Sequence, residues 1–244
     1  MRVLIGAPLR QDPRIFREYL KAIDGLILPE GVTVDRFFIA NGADPACLEM
    51  LDGCEYDVRD DLAPTAYTAG EKDHKWTLDD MLKMGELRSI LTDAVRDGGY
   101  DYLFSVDTDV IVRPETLETL LSRSVPIVTE VFWTRADSGF EWANAWQADN
   151  YGVSIEDFAR WKMPGFYPVG MAGACTLIHR SVFEAGVSYR QIPNVQKALI
   201  GEDRHFCVRA ACAGFSQWLD TTCPARHLYR ISEYERYMEE RNDH

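Results

Sequence analysis

The sequence alternates short apolar segments with segments of helical periodicity from its first residues onward, and this alternation narrows the folds that it can adopt. We predict buried strands in four apolar segments: residues 2–7, 32–40, 100–106 and 126–132. Strands that alternate with helices favour an α/β fold with a mostly parallel central sheet, and ligands of such folds bind beyond the carboxyl ends of the strands. The sequence therefore predicts a single α/β domain over residues 1–244, with helices flanking its sheet.

Helix boundaries are indicated by capping residues. Asp12 and Pro13 are typical of an N-cap and a first helical position, and Thr77 with Asp80 predicts a capping box. The polar connection of residues 43–75 has no clear hydrophobic period. Later helices are predicted at residues 154–163, 180–185, 201–213 and 232–244, and a short strand is predicted at residues 217–221.

Acidic side chains outnumber basic ones by 39 to 26, which gives the chain a formal net charge of −13. This charge argues against non-specific binding to nucleic acids or anionic membranes, because both attract basic surfaces. No apolar stretch approaches the roughly 20 residues that span a bilayer, and no signal peptide is visible. We therefore expect no membrane insertion and a cytoplasmic location. The six cysteines form no CxxC motif and are expected to be free thiols.

Two aspartates, Asp107 and Asp109, follow the apolar segment 100–106 with only Thr108 between them. On an extended backbone their side chains share a face, so both can approach one divalent cation or one ligand. Carboxylate oxygens of this kind suit Mg²⁺ or Mn²⁺ with phosphate better than they suit zinc. The alternative is a solvated acidic turn. A calcium loop is excluded because residues 110–112 are apolar where that loop needs oxygen ligands and a glycine.

Two later segments of the sequence also contain candidate catalytic or metal-binding residues. Glu202 and Asp203 follow Gly201 at a predicted helix start, where the helix dipole by itself favours acidic residues. Alternatively, one of the two carboxylates is a general base beside a cation and phosphates. His227 follows the last predicted strand and is either a metal ligand or a surface or hydrogen-bonded core histidine.

In this order, these features resemble the GT-A glycosyltransferases, which have a Rossmann-like fold and use nucleotide-sugar donors. The chain is most similar to family 2-like members that depend on a metal and carry a DxD motif. The resemblance covers most of the chain, from the first strand and its helix, through Asp107-Thr108-Asp109 and residues 170–183, to the acidic pair and the late histidine. It implies a single GT-A domain and the activity of a hexosyltransferase-type glycosyltransferase.

The resemblance also implies roles for the acidic residues and the histidine. Asp109 and His227 are expected to bind Mn²⁺ or Mg²⁺, and Asp107 to contact the metal, its water shell or the donor's ribose or sugar. Asp203 is expected to be the catalytic base, with Glu202 as the alternative.

Donor binding is implied for six residues: Pro8, Arg10, Asn41, Arg88, Asp107 and Thr108. Asn41 stands where the family commonly has an aspartate that recognises the nucleobase, so a preference for UDP-sugars is an expectation from the resemblance alone. Arg88 is the candidate for a basic residue near the diphosphate, and Lys83 is the weaker one. The alternative for Arg88 is a surface arginine beside the apolar face of its helix.

The acceptor is expected on the aromatic-rich stretch of residues 132–167, with the alternative that about half of its rings form a small core beneath a long loop. The candidate acceptor-binding residues are Glu130, Trp133, Trp142 and Gly173. A glycan, a small molecule, a protein side chain or a hydroxymethylated DNA base would each fit as the acceptor. The domain is accordingly divided into a nucleotide-sugar half (1–112), an acceptor-binding and catalytic half (113–231) and a C-terminal helix (232–244).

Two other functions remain open from the sequence. A sugar nucleotidyltransferase would share the sheet and the metal-binding aspartates, but it normally has a glycine-rich basic signature after the first strand, where residues 6–11 offer one glycine and one arginine. A non-catalytic sugar-nucleotide-binding module would bind the same ligands without turnover. The absence of one of the acidic site residues would favour this non-catalytic interpretation, but the acidic residues and the histidine are all present in this sequence.

Overall fold

The computed structural model describes residues 1–59, 77–135, 139–147, 153–195 and 201–242. Within these ranges the helices are α1 (Pro13–Asp24), α2 (Pro45–Glu49), α3 (Leu78–Asp97), α4 (Thr116–Ser122), α5 (Ile155–Trp161), α6 (Arg180–Glu184), α7 (Glu202–Cys212) and α8 (Ile231–Asn242). The strands are β1 (Arg2–Leu9), β2 (Thr33–Ala40), β3 (Glu55–Val58), β4 (Tyr102–Val106), β5 (Val110–Ile111), β6 (Ile127–Arg135), β7 (Glu141–Ala143), β8 (Ala145–Trp146), β9 (Phe166–Val169), β10 (Met171–Ala172), β11 (Cys175–His179) and β12 (Gln217–His227).

The main sheet has the order β3-β2-β1-β4-β11-β6-β12-β5. From β3 to β12, four of the six pairings are parallel, and β11 runs antiparallel to both of its neighbours. The strands β7 and β9 pair with β6 and β12, and β8 pairs separately with β10. The predicted α/β fold with a mostly parallel central sheet is therefore confirmed.

Helices cover both faces of this sheet because the strands are apolar on both sides. Along β1, Val3 and Ile5 belong to the core cluster beneath α1, α4 and α8, whereas Leu4 belongs to the cluster beneath α3, α6 and α7. Side chains of a strand alternate between its faces, so consecutive apolar residues fill both layers. Across the described ranges, no helix combines the length and the apolarity that crossing a bilayer demands.

The predicted helix starts are confirmed by their capping bonds. The Asp12 side chain accepts a hydrogen bond from the Arg14 amide at 2.9 Å. Thr77 Oγ1 accepts from the Asp80 amide at 3.2 Å, and the Asp80 carboxylate accepts from the Thr77 amide at 3.0 Å, which completes the capping box. These caps fix where α1 and α3 begin, and thereby how α3 lies against the sheet.

Several regions differ from the sequence prediction. The strand β6 continues past residue 132 to Arg135, and β7 and β8 lie in the aromatic-rich stretch, for which only a helix was predicted. The polar connection of residues 43–75, in which the sequence shows no clear hydrophobic period, contains α2 and β3, and its residues 60–75 lie outside the described ranges. The last strand does not end at Thr221 but continues to His227, with an irregularity between Asp220 and Ala225. Pro224 lies within this irregularity, where a residue without an amide hydrogen is tolerated. All six cysteines are free thiols, as predicted.

Candidate active site

A cavity of about 470 Å³ lies beyond the carboxyl ends of β1 and β4. Apart from Lys83, the sequence predicts fourteen site residues, and the lining of the cavity includes twelve of them: Pro8, Arg10, Asn41, Arg88, Asp107, Thr108, Asp109, Trp142, Gly173, Glu202, Asp203 and His227. The position agrees with the rule that open α/β sheets bind ligands beyond the carboxyl ends of their strands. Arg88 lines the cavity, and Lys83 is not among the lining residues.

Asp109 and His227 are brought together by strand pairing. β5 pairs with β12 so that His227 lies opposite Val110, and the Leu228 amide donates to the Asp109 carbonyl at 2.7 Å. As a result, His227 Nε2 is 3.5 Å from Asp109 Oδ2. The other ring nitrogen, Nδ1, is 2.9 Å from Thr134 Oγ1, and this contact orients the ring.

The chemistry of Asp109 and His227 fits a divalent cation that also has ligands from outside the protein. A carboxylate oxygen and an imidazole nitrogen face each other, and Thr134 holds the second ring nitrogen as outer partners of metal-bound histidines do. In the part of the chain that the structure describes, no three His, Cys, Asp or Glu side chains form a complete metal site. Two protein ligands are usual for cations that also bind phosphate oxygens and water.

Arg88 occupies the floor of the cavity and is 4% exposed. Its Nη2 donates to both oxygens of Asp107, at 2.7 and 2.9 Å, its Nη1 donates to Ser105 Oγ at 3.3 Å, and its Nε donates to Glu202 Oε1 at 3.2 Å. Burial opposes the charge of the guanidinium, but Asp107, Asp203 and Glu202 raise its pKa well above the ordinary value. Arg88 is therefore a permanently charged link between two acidic motifs, not a surface arginine.

Glu202 and Asp203 form the first turn of α7, which begins after Gly201 at a φ of 110°. A Cβ atom added to Gly173 would lie 2.5 Å from Asp203 Cγ, so the Asp203 carboxyl packs directly against this glycine. Burial, and after it the negative charge of Glu202, raises the pKa of Asp203 to about 7. A carboxyl with this pKa can exchange a proton near neutral pH, as a general base must.

Asn144, which the sequence analysis did not select, fixes the loop at Gly173. Its side-chain amide donates to the Gly173 carbonyl at 2.8 Å and to the Glu130 carbonyl at 3.0 Å, and its oxygen accepts from the Phe132 amide at 2.9 Å. Ala174, which follows Gly173, has a φ of 66°, and its carbonyl accepts a hydrogen bond from the Asp107 amide at 3.0 Å. No periodic or capping signal in the sequence marks either residue, because both act through contacts with distant strands.

Glu130 and Trp133 do not line the cavity, although they were selected as acceptor-binding residues. Both lie inside β6, which continues to Arg135, rather than beyond a strand end. Glu130 is fully buried opposite Asp220, and burial followed by the charge of Asp220 raises its pKa to about 9. Trp133 lies on the strand face opposite to that of its neighbour Phe132, which lines the cavity.

Trp133 instead packs in a small aromatic cluster away from the cavity. Its ring is 4.9 Å from that of Phe158, and Lys162 Nζ is 3.6 Å from its centroid. Aromatic side chains on the cavity itself are Phe132, Trp142, Trp146 and Tyr229. The Arg204 guanidinium lies 5.2 Å from the centroid of the Trp146 ring. The aromatic stretch is thus divided between a local core and the cavity wall.

The fold is similar to that of a solved structure with which the chain shares little sequence identity. No protein-family model matches the sequence, and no curated protein does. The structure of S. aureus TarS 1–349, a GT-A-like glycosyltransferase, matches with a TM-score of 0.56 and 10% sequence identity. The match covers 93% of this chain and 60% of the TarS chain in that structure, so this chain spans about three fifths of it. At this identity the similarity concerns the fold alone, an α/β domain with a mostly parallel central sheet flanked by helices.

Proposed function

We propose that the protein is a metal-dependent glycosyltransferase that moves a sugar from a nucleotide-sugar donor, preferably a UDP-sugar, to an acceptor hydroxyl. The observation that carries this proposal is the meeting of Asp107, Asp109, His227 and Asp203 on one cavity at the carboxyl edge of the sheet. Three separate parts of the chain supply these side chains, and the similarity of fold to a glycosyltransferase supports the same function.

The donor would bind through the first half of the chain, residues 1–112. Pro8, Arg10 and Asn41 line the cavity at the carboxyl ends of β1 and β2, and the nucleoside would lie against them. Asp109 and His227 would hold Mn²⁺ or Mg²⁺, which when bound would stabilise the negative charge that develops on the diphosphate leaving group. Thr134 keeps the His227 ring in the orientation that presents Nε2 to Asp109.

The acceptor would bind against the second half, residues 113–231, where Trp142 and Gly173 line the cavity. Aromatic rings offer flat apolar faces on which sugar rings or bases can lie. As the acceptor oxygen forms its bond to the anomeric carbon, the bond from that carbon to the diphosphate breaks. The proton of the acceptor hydroxyl passes to the Asp203 carboxylate. This direct displacement inverts the configuration at the anomeric carbon.

The proposal is tested by UDP release from a panel of UDP-sugars, measured with Mn²⁺ and with EDTA. Water serves as the acceptor in this assay. We expect release that depends on Mn²⁺ and is lost in Asp109→Ala. Asp52→Ala, which changes an exposed aspartate in the segment between α2 and β3, is the matched control and should retain full activity.

Other outcomes would contradict the proposal. A folded sample that neither releases UDP nor binds UDP-sugars in a metal-dependent way is incompatible with it. Release of pyrophosphate from a nucleoside triphosphate and a sugar phosphate would identify a nucleotidyltransferase. Binding of UDP-sugars without any turnover would identify a non-catalytic binding module.

A further inference from the structure

Arg88 forms hydrogen bonds with Asp107 and with Glu202, and thereby links the two acidic motifs of the cavity, Asp107-Thr108-Asp109 and Glu202-Asp203. This arrangement gives the acidic residues different roles. We propose that Arg88 is a positioning residue that acts through Asp107 and Glu202, that Glu202 serves as its counter-ion, and that Asp203 alone is the base. The inference rests on the proposed function, because it assigns roles within that reaction. It differs from the sequence prediction, in which Arg88 contacts the donor diphosphate and Glu202 is the alternative catalytic base.

The contacts of Arg88 support a positioning role. Each of its three guanidinium nitrogens already donates a hydrogen bond within the protein: Nη2 to Asp107, Nη1 to Ser105 and Nε to Glu202. The five N–H groups of the guanidinium already make four contacts, so a bidentate hold on a diphosphate would displace at least one of these buried bonds, which is costly in a site of low polarity. The same bonds fix the Asp107 carboxylate at the end of β4 and thereby the start of the loop that carries Asp109.

The contact between Arg88 and Glu202 is supported by the packing of α3 against α7 and against the residues that precede α7. Gly85 lies one helical turn before Arg88, and a Cβ atom there would be 2.7 Å from the Tyr189 carbonyl oxygen and 3.5 Å from Glu202 Cβ. The short distance is to the backbone of Tyr189, so only a glycine lets α3 pack this closely against the segment that precedes α7, whereas the distance to Glu202 is an ordinary packing contact. The Tyr189 ring also lies 5.7 Å from the Arg88 guanidinium, which adds an aromatic face to its surroundings.

Glu202 and Asp203 differ in what they contact. Adjacent residues of a helix do not share a face. The Glu202 carboxylate is bound by Arg88 and its side chain is 13% exposed. Asp203 lies against Gly173, and in the described part of the chain its carboxylate takes part in no hydrogen bond or ion pair. A carboxylate without such a bond can accept the acceptor's proton without first losing a partner.

The test uses four variants of the full chain: Arg88→Gln, Glu202→Gln, the double variant of these two, and Asp203→Asn. The readouts are kcat and KM for UDP-sugar turnover and the Kd values of UDP and of uridine. Arg88→Gln and Glu202→Gln should each lower kcat about tenfold or more, with less than about a threefold change in donor KM and in the Kd of UDP. The double variant should be about as slow as the slower single variant, because residues that act as one unit are not additive.

Asp203→Asn should lower kcat about 10²- to 10⁴-fold, while the variant still binds UDP. Arg96→Gln is the matched control, since Arg96 lies on the same helix in a half-exposed ion pair with Asp97. Its kcat should equal that of the unchanged chain. If Arg88→Gln fails to fold, the comparison of Glu202→Gln with Asp203→Asn still decides the inference, because Glu202→Gln keeps the pair of Arg88 with Asp107.

Three results would overturn the inference. One is a rise of about tenfold or more in the Kd of UDP in Arg88→Gln with no change for uridine, which would show a direct contact with the diphosphate. The second is additive losses in the double variant, and the third is a loss in Glu202→Gln that equals or exceeds that in Asp203→Asn. Failure of the unchanged chain to turn over any UDP-sugar would instead contradict the proposed function, and the inference would fall with it.

Discussion

His227 Nε2 lies 3.5 Å from Asp109 Oδ2, and the pairing of β5 with β12 holds the two residues at this distance. The amide of Leu228 donates to the Asp109 carbonyl, so the backbone itself locks the two segments together. The geometry of the candidate metal ligands is therefore set by the sheet and not by a mobile loop. Such preorganisation places both groups in position before any ligand arrives.

Thr134→Val removes the hydroxyl that lies 2.9 Å from His227 Nδ1 and keeps the shape of the side chain. We expect the Mn²⁺ concentration at half-maximal UDP release to rise about 10- to 100-fold, because outer-shell partners orient histidine ligands. Thr222→Val, on the same strand as His227 but hydrogen-bonded to Arg123, is the control and should leave the midpoint unchanged. An unchanged midpoint in Thr134→Val would contradict a metal-binding role for His227.

Gly173→Ala places a Cβ atom 2.5 Å from Asp203 Cγ, so the carboxyl group must move. We expect kcat to fall about 10²-fold, the usual consequence of displacing a catalytic group by about 1 Å, with unchanged affinity for UDP. Gly25→Ala is a suitable control, since its Cβ atom would lie 3.3 Å from a backbone oxygen at the end of α1, away from the cavity. Full activity in Gly173→Ala would show that Asp203 need not hold this position.

The pKa of Asp203 predicts how turnover depends on pH. Burial and the charge of Glu202 raise this pKa to about 7, and a base works only when it is unprotonated. The kcat for UDP-sugar turnover should therefore increase up to about pH 7 and then level off. In Glu202→Gln the midpoint should move to lower pH, because one cause of the raised pKa is removed. A flat profile between pH 5.5 and 8.5 would argue against Asp203 as the base.

Glu130→Gln should stabilise the fold at alkaline pH. The native pKa of Glu130 is raised from 4.5 to about 9 by burial and by Asp220, so the folded chain keeps a proton that the unfolded chain releases. The free energy of unfolding must consequently fall as pH rises through this window. We expect the variant to exceed the unchanged chain by at least about 1 kcal/mol at pH 8 in urea unfolding, with little difference at pH 5.

Glu118→Gln is the control for this measurement, since Glu118 is an exposed residue of α4 and its replacement should leave the pH dependence unchanged. Equal stability of Glu130→Gln and the unchanged chain at pH 8 would mean that Glu130 is ionised at no cost. Its Oε2 atom has no hydrogen-bond partner among the described residues, which makes such an outcome unexpected.

The predictable features of this fold are those formed by neighbours in the chain. The caps at Asp12 and at Thr77 with Asp80 involve residues at most three positions apart, so the sequence shows them directly. The strand β3 and the second half of β12 were not predicted. β3 is four residues long and mostly exposed, and β12 contains Pro224, so neither has a clear apolar alternation.

The sequence by itself determined the α/β class and supplied the acidic residues and the histidine that line the cavity, because hydrophobic period and residue type are local properties. Only the tertiary structure decided which of them meet. Strand pairing joins Asp109 to His227, and the packing of α3 against β4 and against α7 joins Arg88 to Asp107 and to Glu202. The same sheet buries Glu130 away from the cavity. These contacts depend on how distant segments pack, and no pattern along the chain encodes that geometry.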